Sequence, residues 1–184
     1  HSRYPEINIQ VTNRTTPETV ALLTEGRVDL GIVDLPFEDE RLDILRGPAL
    51  HDTFVCGTQY RELAGKPVKL ADLARYPLLM LEQTSNTRRF VESHAARRGV
   101  RLAPQIELGS FDLLIAFARA GLGIACVVRE FAAAEIDGRT LFEIRLDEPF
   151  PERNVGIVTL KGVPPSPATR RFIEMLRPEP GAAS

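Results

Sequence analysis

The sequence predicts an α/β protein folded into two lobes. One observation is the order of strand, polar turn, helix, glycine and strand, which occurs three times and is typical of right-handed βαβ units and a parallel sheet. Another is a pair of extended segments, residues 51–58 and 153–160, that stand outside these units. If the helices before the first segment and after the second share a lobe, the chain crosses twice between the lobes. That arrangement permits hinge closure around a ligand.

The first unit lies between two predicted strands, NIQV (residues 8–11) and VDLGIVD (residues 28–34), the second of them buried. Between them, TTPETVALLTEG predicts a helix that presents Val20 and Leu23 on one face, because these residues lie three apart. Gly26 is predicted to end this helix.

The start of this helix has two possible registers. Pro17 suits the first helical position, which makes Thr16 the N-cap. Alternatively, Thr15 and Glu18 form a capping box. The spacing is compatible with both.

The second unit begins with LLML (residues 78–81) as a strand and QTSNT (residues 83–87) as a polar turn. The helix RRFVESHAARRG follows, with Phe90, Val91 and His94 predicted on its inner side. Five consecutive polar residues in the turn exceed what a helix cap alone requires.

The third unit consists of the strand PQIEL (residues 104–108), an N-cap at Ser110, the helix FDLLIAFARA and the strand IACVV. Gly121 and Gly123 follow a helix and precede a strand, the reverse of a dinucleotide-binding fingerprint, so Gly121 is predicted to end the helix. The residues predicted to face inward are Leu113, Leu114, Phe117 and Ala118.

A last helix is predicted in SPATRRFIEMLRP, with Ser166 as its N-cap and Pro167 at the first helical position. Its predicted inward residues are Ala168, Phe172, Ile173 and Leu176.

The composition indicates an ordinary globular protein and argues against several function classes. A net charge of −2 gives no support for nucleic-acid binding by the chain itself. The longest apolar run, residues 113–118, is too short to span a bilayer, and no secretion signal opens the chain. Cys56 and Cys126 lie in apolar runs, which argues against a disulfide framework and fits a reducing compartment.

Catalytic and metal-binding patterns are weak. His51 and His94 have no nucleophile motif to accompany them, and Cys56 and Cys126 fit packing better than catalysis. The carboxylates of residues 38–40 lie in a polar loop, which is typical of solvated surface. No metal-ligand spacing occurs. We therefore expect no catalytic residue, no metal and no cofactor, and a small-molecule enzyme is the weaker alternative.

All three strand-to-helix turns carry hydroxyl groups. A helix N-terminus offers unpaired N–H groups and a partial positive charge, so each turn could hold an anion. Such turns lie at the carboxyl ends of strands, where α/β proteins bind ligands. Helix capping alone explains the hydroxyl residues of any single turn, so both anion binding and simple capping stay open as interpretations. The hydroxyl residues are Thr15, Thr16, Thr84, Ser85, Thr87 and Ser110.

Five segments resemble, in order and spacing, the effector-binding domain of LysR-type transcriptional regulators: RYPEI, EGRVDLGIVD, LADLARYPLL, RAGLGIACVV and SPATRRFIEML. The resemblance covers nearly the whole chain. It implies a fold like type II periplasmic binding proteins, with Rossmann-like lobes joined by two crossover strands and an effector cleft between them. Lobe I would comprise residues 1–55 and 156–184, and lobe II residues 56–155.

The chain departs from the family pattern in two places. The family domain begins with a strand and a helix ahead of RYP, preceded by a winged helix-turn-helix, and we expect all of these to be missing from this chain. Lobe I would then lack a central strand. Relatives also often carry a proline after the GLGI strand, where this chain has Val128 and Arg129.

The resemblance also implies effector contacts. Thr16 matches a ligand-contacting residue after the family's second strand, and the two turns of lobe II match the opposite side of the site. Arg88 is a candidate counter-charge for an anionic effector, or else a solvated arginine in the first turn of its helix. The full predicted set is Thr15, Thr16, Thr84, Ser85, Asn86, Arg88, Ser110 and Phe111.

The function implied is effector sensing in a bacterial cytoplasmic regulator, with a small, anionic metabolite as the effector. DNA would be bound only through the missing N-terminal domain, and no membrane is involved. A homodimer is expected, tetrameric in the full-length protein, with the helix of residues 17–25 near lobe II of the partner. A solute-binding receptor of a transport system has the same fold and is the alternative.

Overall fold

The computed structural model describes residues 1–176 and confirms the α/β fold class. Two compact units form: Leu50–Glu152, and His1–Ala49 together with the described residues that follow from Arg153 to Leu176. In chain order the elements are α1 (Thr16–Thr24), β1 (Gly31–Asp34), β2 (Leu42–Leu50), β3 (Asp52–Cys56), a 3-10 helix (Thr58–Gly65), α2 (Leu70–Leu73), β4 (Leu78–Leu81), α3 (Asn86–Arg97), β5 (Ile106–Leu108), α4 (Phe111–Arg119), β6 (Ile124–Val128), a 3-10 turn (Arg129–Ala132), α5 (Ala133–Asp137), β7 (Phe142–Ile144), β8 (Arg153–Leu160) and α6 (Pro167–Leu176).

The discontinuous unit is built on a three-stranded sheet in the order β1-β8-β2. β1 runs antiparallel to β8, with Gly31 opposite Val158. α1 packs on this sheet because its apolar residues recur at helical spacing. The buried core consists of Val20, Leu23, Val33, Leu42 and Val158.

One strand prediction for this unit is wrong, and a second is confirmed only in part. Residues 8–11 form no strand, and Val11 is 86% exposed, because no strand among residues 1–176 pairs with this segment. The segment VDLGIVD gives only the short strand β1, in which Val33 is buried and Ile32 is half-exposed. Such alternation is typical of an antiparallel sheet with one covered face, so the parallel arrangement predicted here is also wrong.

The N-cap of α1 is Thr15, so the prediction of Thr16 is wrong and the capping-box register is confirmed. The Glu18 carboxylate accepts hydrogen bonds from the Thr15 backbone N–H at 2.9 Å and from its hydroxyl at 2.7 Å. Pro17 still occupies the first turn, where its missing N–H costs nothing. Gly26 follows the helix with φ +67°, the left-handed conformation that glycine adopts without strain, as predicted.

The continuous unit is built on a five-stranded sheet in the order β5-β4-β6-β3-β7. β4 pairs in parallel with both β5 and β6, while β3 is antiparallel to its neighbours β6 and β7. The path β4-α3-β5-α4-β6 therefore confirms two successive βαβ units. Gly121, with φ +80°, ends α4 as predicted.

α3 and α4 cover opposite faces of this sheet. Val91 of α3 packs with Phe54 and Met80, whereas Leu114 of α4 packs with Leu79 on the other face. Because successive strand residues point to opposite faces, Leu79 and Met80 belong to different cores. Every residue of β4 and β6 is buried, as expected for strands covered on both sides.

The buried faces of α3 and α4 are rotated relative to the predicted faces. Leu113 is 47% exposed, so its inward prediction is wrong, and Ile115 is buried instead. Phe90 and His94 are only half-buried, and Ala95 is the buried neighbour of Val91 in α3. These differences arise because the contact stripe of each helix is centred about one position away from the predicted stripe.

The chain passes between the units at Ala49–Leu50 and again at Glu152–Arg153. The first passage falls at the end of β2, a nine-residue strand that was not predicted. The predicted boundaries, after residues 55 and 155, lie a few residues further along.

The final helix starts as predicted. The Thr169 backbone N–H donates to the Ser166 hydroxyl oxygen at 3.1 Å, and Pro167 is the first helical residue. Thr169 is buried, and the four residues predicted to face inward are half-buried. The last two residues of the predicted segment lie outside the described residues. No helix within residues 1–176 is long and apolar enough to cross a membrane.

Candidate functional site

The topology of the five-stranded sheet makes the ends of β4 and β5 the candidate position for a ligand site. These strands are parallel neighbours, with Leu81 opposite Leu108 at their carboxyl ends. The helices that follow them, α3 and α4, lie on opposite faces, so the two connecting turns diverge. In open α/β sheets, ligands bind in the crevice that opens at such a position.

The turn after β4 contains three predicted site residues. Ser85 is the N-cap of α3 and its hydroxyl oxygen accepts the Arg88 backbone N–H at 3.4 Å. Thr84 is exposed beside it. Asn86 is the first helical residue, and its side-chain oxygen accepts a hydrogen bond from Arg89.

The turn after β5 contains two more predicted site residues. Ser110 caps α4 by accepting the Leu113 backbone N–H at 3.3 Å. Phe111 begins the helix, and its ring meets the half-exposed ring of Phe131 edge-on, with centroids 5.2 Å apart. Among the described residues, no hydrogen bond uses the hydroxyl hydrogens of Ser85 and Ser110. Both hydroxyls can therefore donate to a ligand.

Arg88 is buried, so the interpretation as a solvated arginine is wrong: its side chain is 2% exposed. Its Nη1 donates to the Leu81 carbonyl at 2.7 Å and its Nε to Glu92 at 2.6 Å. Its Nη2 lies 3.5 Å from a Glu107 carboxylate oxygen. Both carboxylates face an open groove of about 570 Å³ lined by residues of α3, the following loop and β5. The prediction that Arg88 is a counter-charge stays untested.

Four residues at the same sheet edge were not predicted as site residues. β6 is parallel to β4, so Arg129, Glu130 and Phe131 follow it at the carboxyl edge. His51 precedes β3, which runs antiparallel to β6, and therefore reaches the same edge. Arg129, Glu130 and Phe131 could have been found by the rule already applied to the other strands, which expects ligand contacts in the residues that follow a parallel strand.

His51 and Glu130 form an ion-pair geometry, with the imidazole Nδ1 2.7 Å from the carboxylate. Partial burial raises the pKa of the Glu130 carboxyl, but hydrogen bonds from the His51 side chain and backbone lower it by more. Glu130 is therefore ionised at neutral pH. Arg129, half-exposed, pairs with Glu143 at 3.2 Å and adds a positive charge to this edge.

Thr15 and Thr16 belong to the other unit. The Thr15 hydroxyl donates to Glu18, as described above, whereas Thr16 is half-buried in the first turn of α1. The structure thus gathers Thr84, Ser85, Asn86, Ser110 and Phe111 at one sheet edge. Thr15 and Thr16 belong to the discontinuous unit.

The two cysteines are buried, and the acidic residues among residues 1–176 form no metal-binding group. Burial, and secondarily Glu62, raises the pKa of the Cys56 thiol to about 11, so it is protonated at neutral pH and a poor nucleophile. Cys126 is also a buried free thiol. Within residues 1–176, no group of three histidine, cysteine, aspartate or glutamate side chains could hold a metal ion.

Comparison with known sequences identifies the family. A family model described as LysR substrate binding domain matches residues 1–180. The chain is 28% identical over 179 residues to a protein of Anaeromyxobacter dehalogenans (strain 2CP-C) named phosphonates import ATP-binding protein PhnC, covering 96% of this chain and 36% of that protein. It is 27% identical over 176 residues to the HTH-type transcriptional regulator YeiE of Escherichia coli (strain K12), covering 95% of this chain and 59% of YeiE. The chain thus spans less than two thirds of either relative.

Comparison with solved structures supports the same fold. The regulatory domain of Synechocystis PCC6803 CcmR in complex with 2-PG superposes with a TM-score of 0.78 at 23% identity. The match covers 95% of this chain and 84% of the CcmR chain.

Proposed function

The chain belongs to the LysR substrate binding domain family, and we propose that it senses a small anionic effector for a bacterial transcriptional regulator of the LysR type. The name of YeiE, a helix-turn-helix regulator, supports this assignment. The regulator would act in the cytoplasm as a homodimer, or as a tetramer at full length. It would contact DNA through a winged helix-turn-helix outside this chain, and the chain itself would catalyse no reaction.

One observation carries the location of the site: Ser85 and Ser110 cap two helices at adjacent parallel strand ends and keep their hydroxyl hydrogens available. Two helix N-termini and two hydroxyl donors lie at these adjacent strand ends, and each favours an anion. At the same edge the half-exposed Arg129 guanidinium is paired with Glu143, and an anion bound there would compete with that carboxylate. The bound 2-PG of the CcmR domain supports a small ligand as the class. Thr15 and Thr16 stay predicted effector contacts.

The experiment compares two serines that cap helices in the same way. Ser110→Ala should weaken binding of a small carboxylate or phosphate, found by a thermal-shift screen, about tenfold or more. The reason is that a hydrogen bond to a charged partner contributes on the order of 1.5–3 kcal/mol. Calorimetric titration measures the affinity, and melting temperature is recorded in parallel because losing the cap costs about 1 kcal/mol.

Ser166→Ala is the matched control, because Ser166 caps α6 of the other unit through the same type of hydrogen bond. It should lower the melting temperature similarly and leave the affinity unchanged. Equal affinities for the parent and Ser110→Ala would show that Ser110 is a helix cap alone and that the site lies elsewhere.

A further inference from the structure

Arg88 has polar partners on three elements of one unit. Its guanidinium donates to the last residue of β4, Leu81, and to Glu92 of its own helix, α3. It also lies 3.5 Å from Glu107, the middle residue of β5. Burial of an arginine is costly unless its charge is paired and hydrogen-bonded, and here it is. Because one buried guanidinium contacts β4, α3 and β5 at the same time, it fixes the relative positions of these three elements.

The positions of these partners connect the two turns of the candidate site. Leu81 immediately precedes the turn that contains Ser85, and Glu107 lies three residues before Ser110. One backbone hydrogen bond, from the Glu82 N–H to the Leu108 carbonyl at 3.1 Å, also joins the two strand ends. The planar guanidinium adds a second connection of fixed geometry, which a lysine ammonium on a flexible stem could not reproduce.

We propose that Arg88 is a positioning residue that holds the Ser85 turn against the Ser110 turn and so sets the affinity for an anion without touching it. The role in affinity rests on the function proposed above. The role in fixing the two turns rests on the contacts alone.

Glu107 and Glu92 allow this role to be separated from direct contact with an anion. If Arg88 bound the anion directly, removing the Glu107 carboxylate would free the guanidinium and remove a repulsive charge, so affinity would rise. If Arg88 positions the turns through Glu107, the same change loosens the connection between the strands, and affinity falls. The two roles predict opposite signs.

The probe is inorganic sulfate, titrated at constant ionic strength, with amide NMR resonances of Ser85 and Ser110 as the readout. Glu107→Ala should weaken sulfate binding about threefold or more, because one charged partner of the positioning arginine is lost. It should also shift both amides in the sulfate-free protein. Glu107→Gln, which keeps an acceptor oxygen, should restore part of the affinity. Arg88→Lys should weaken binding as Glu107→Ala does.

Glu92→Ala is the matched control. The Glu92 and Glu107 side chains are 36% and 39% exposed and contact the same guanidinium, but Glu92 lies on the helix of Arg88 and does not connect the strands. We expect Glu92→Ala to leave sulfate affinity within about twofold and the Ser110 amide in place.

Stronger sulfate binding by Glu107→Ala would overturn the proposal, and so would unchanged Ser85 and Ser110 amides in that variant. If sulfate does not shift these amides even in the parent, the proposed site fails for this anion. The sulfate-free spectra of Glu107→Ala and Glu92→Ala then still decide whether Arg88 positions the turns.

Discussion

Both units combine helices with a β-sheet, but they differ in how completely the faces of the sheet are covered. The continuous unit buries a five-stranded sheet between α3 on one face and α4 on the other, with a separate core on each side. In the described part of the discontinuous unit there are a three-stranded sheet, one small core and an exposed Ile32 on β1. Hydrophobic burial is the dominant stabilising contribution to folding, so the continuous unit should hold most of the stability. The candidate site lies on that unit, where rigid elements fix its geometry.

The largest expected effect comes from matched leucines in the two cores. Leu114→Ala should destabilise the protein by about 3–5 kcal/mol, because Leu114 is fully buried in a large core that cannot collapse around the cavity. Leu23→Ala, in the small core beside α1, should cost about 2–3 kcal/mol, since fewer neighbours surround it. Urea unfolding followed by circular dichroism measures both. A greater loss for Leu23→Ala would reverse the comparison.

An intermediate effect concerns His94, which lies between Phe90 and Phe150 in the continuous unit. Burial, and then the nearby Arg98 and Arg97, lower the pKa of His94, although Glu148 opposes this. The Arg97 guanidinium lies 3.0 Å from Nδ1, and Nε2 is buried without a partner among the described residues. Both features favour the neutral imidazole.

The sign of the pH dependence follows from this neutral state. Since the unfolded chain takes up the proton near its ordinary pKa of about 6.5, stability is complete above that pH and declines as pH falls below it. His94→Phe should remove this part of the decline between about pH 7 and pH 5. Unfolding free energies measured across that range test it. Parallel curves for parent and variant would show that His94 does not titrate differently on folding.

The smallest effect is expected at the start of α1, in the discontinuous unit with its smaller core. Thr15→Ala removes the capping residue and should cost about 1 kcal/mol or less. Thr15→Ser keeps the hydroxyl and should retain most of the stability. Melting temperatures of the two variants provide the measurement. A loss as large as that of Leu23→Ala would mean that the cap, rather than the core, limits the stability of this unit.

Local patterns in the sequence were sufficient to predict the path β4-α3-β5-α4-β6, because apolar runs, caps and glycines identify each element without knowledge of its neighbours. Residues 8–11 have the composition of a strand, but a strand needs a pairing partner, which the pattern cannot supply. β2 was missed because LDILRGPAL contains glycine and proline and shows no clear alternation. The first error is one of pairing, and the second is one of local propensity.

The candidate site was predictable to a similar extent. Ser85 and Ser110 were found because helix caps have a local signature. The burial of Arg88 was not, because it depends on Glu92 and Glu107 being brought to the same guanidinium by the fold. His51 was missed for the same reason, since the antiparallel placement of β3 beside β6 has no local signal.

The two buried thiols make the chain well suited to site-selective labelling. Cys56 and Cys126 are both buried, and the pKa of about 11 at Cys56 leaves almost no thiolate at neutral pH. Thiol-reactive dyes act on the thiolate and need access, so the native cysteines should remain unmodified without being replaced. A single Leu113→Cys change would then provide an attachment point in the first turn of α4, close to Ser110, on a side chain that is already half-exposed. A fluorophore there would report occupancy of the neighbouring turn directly.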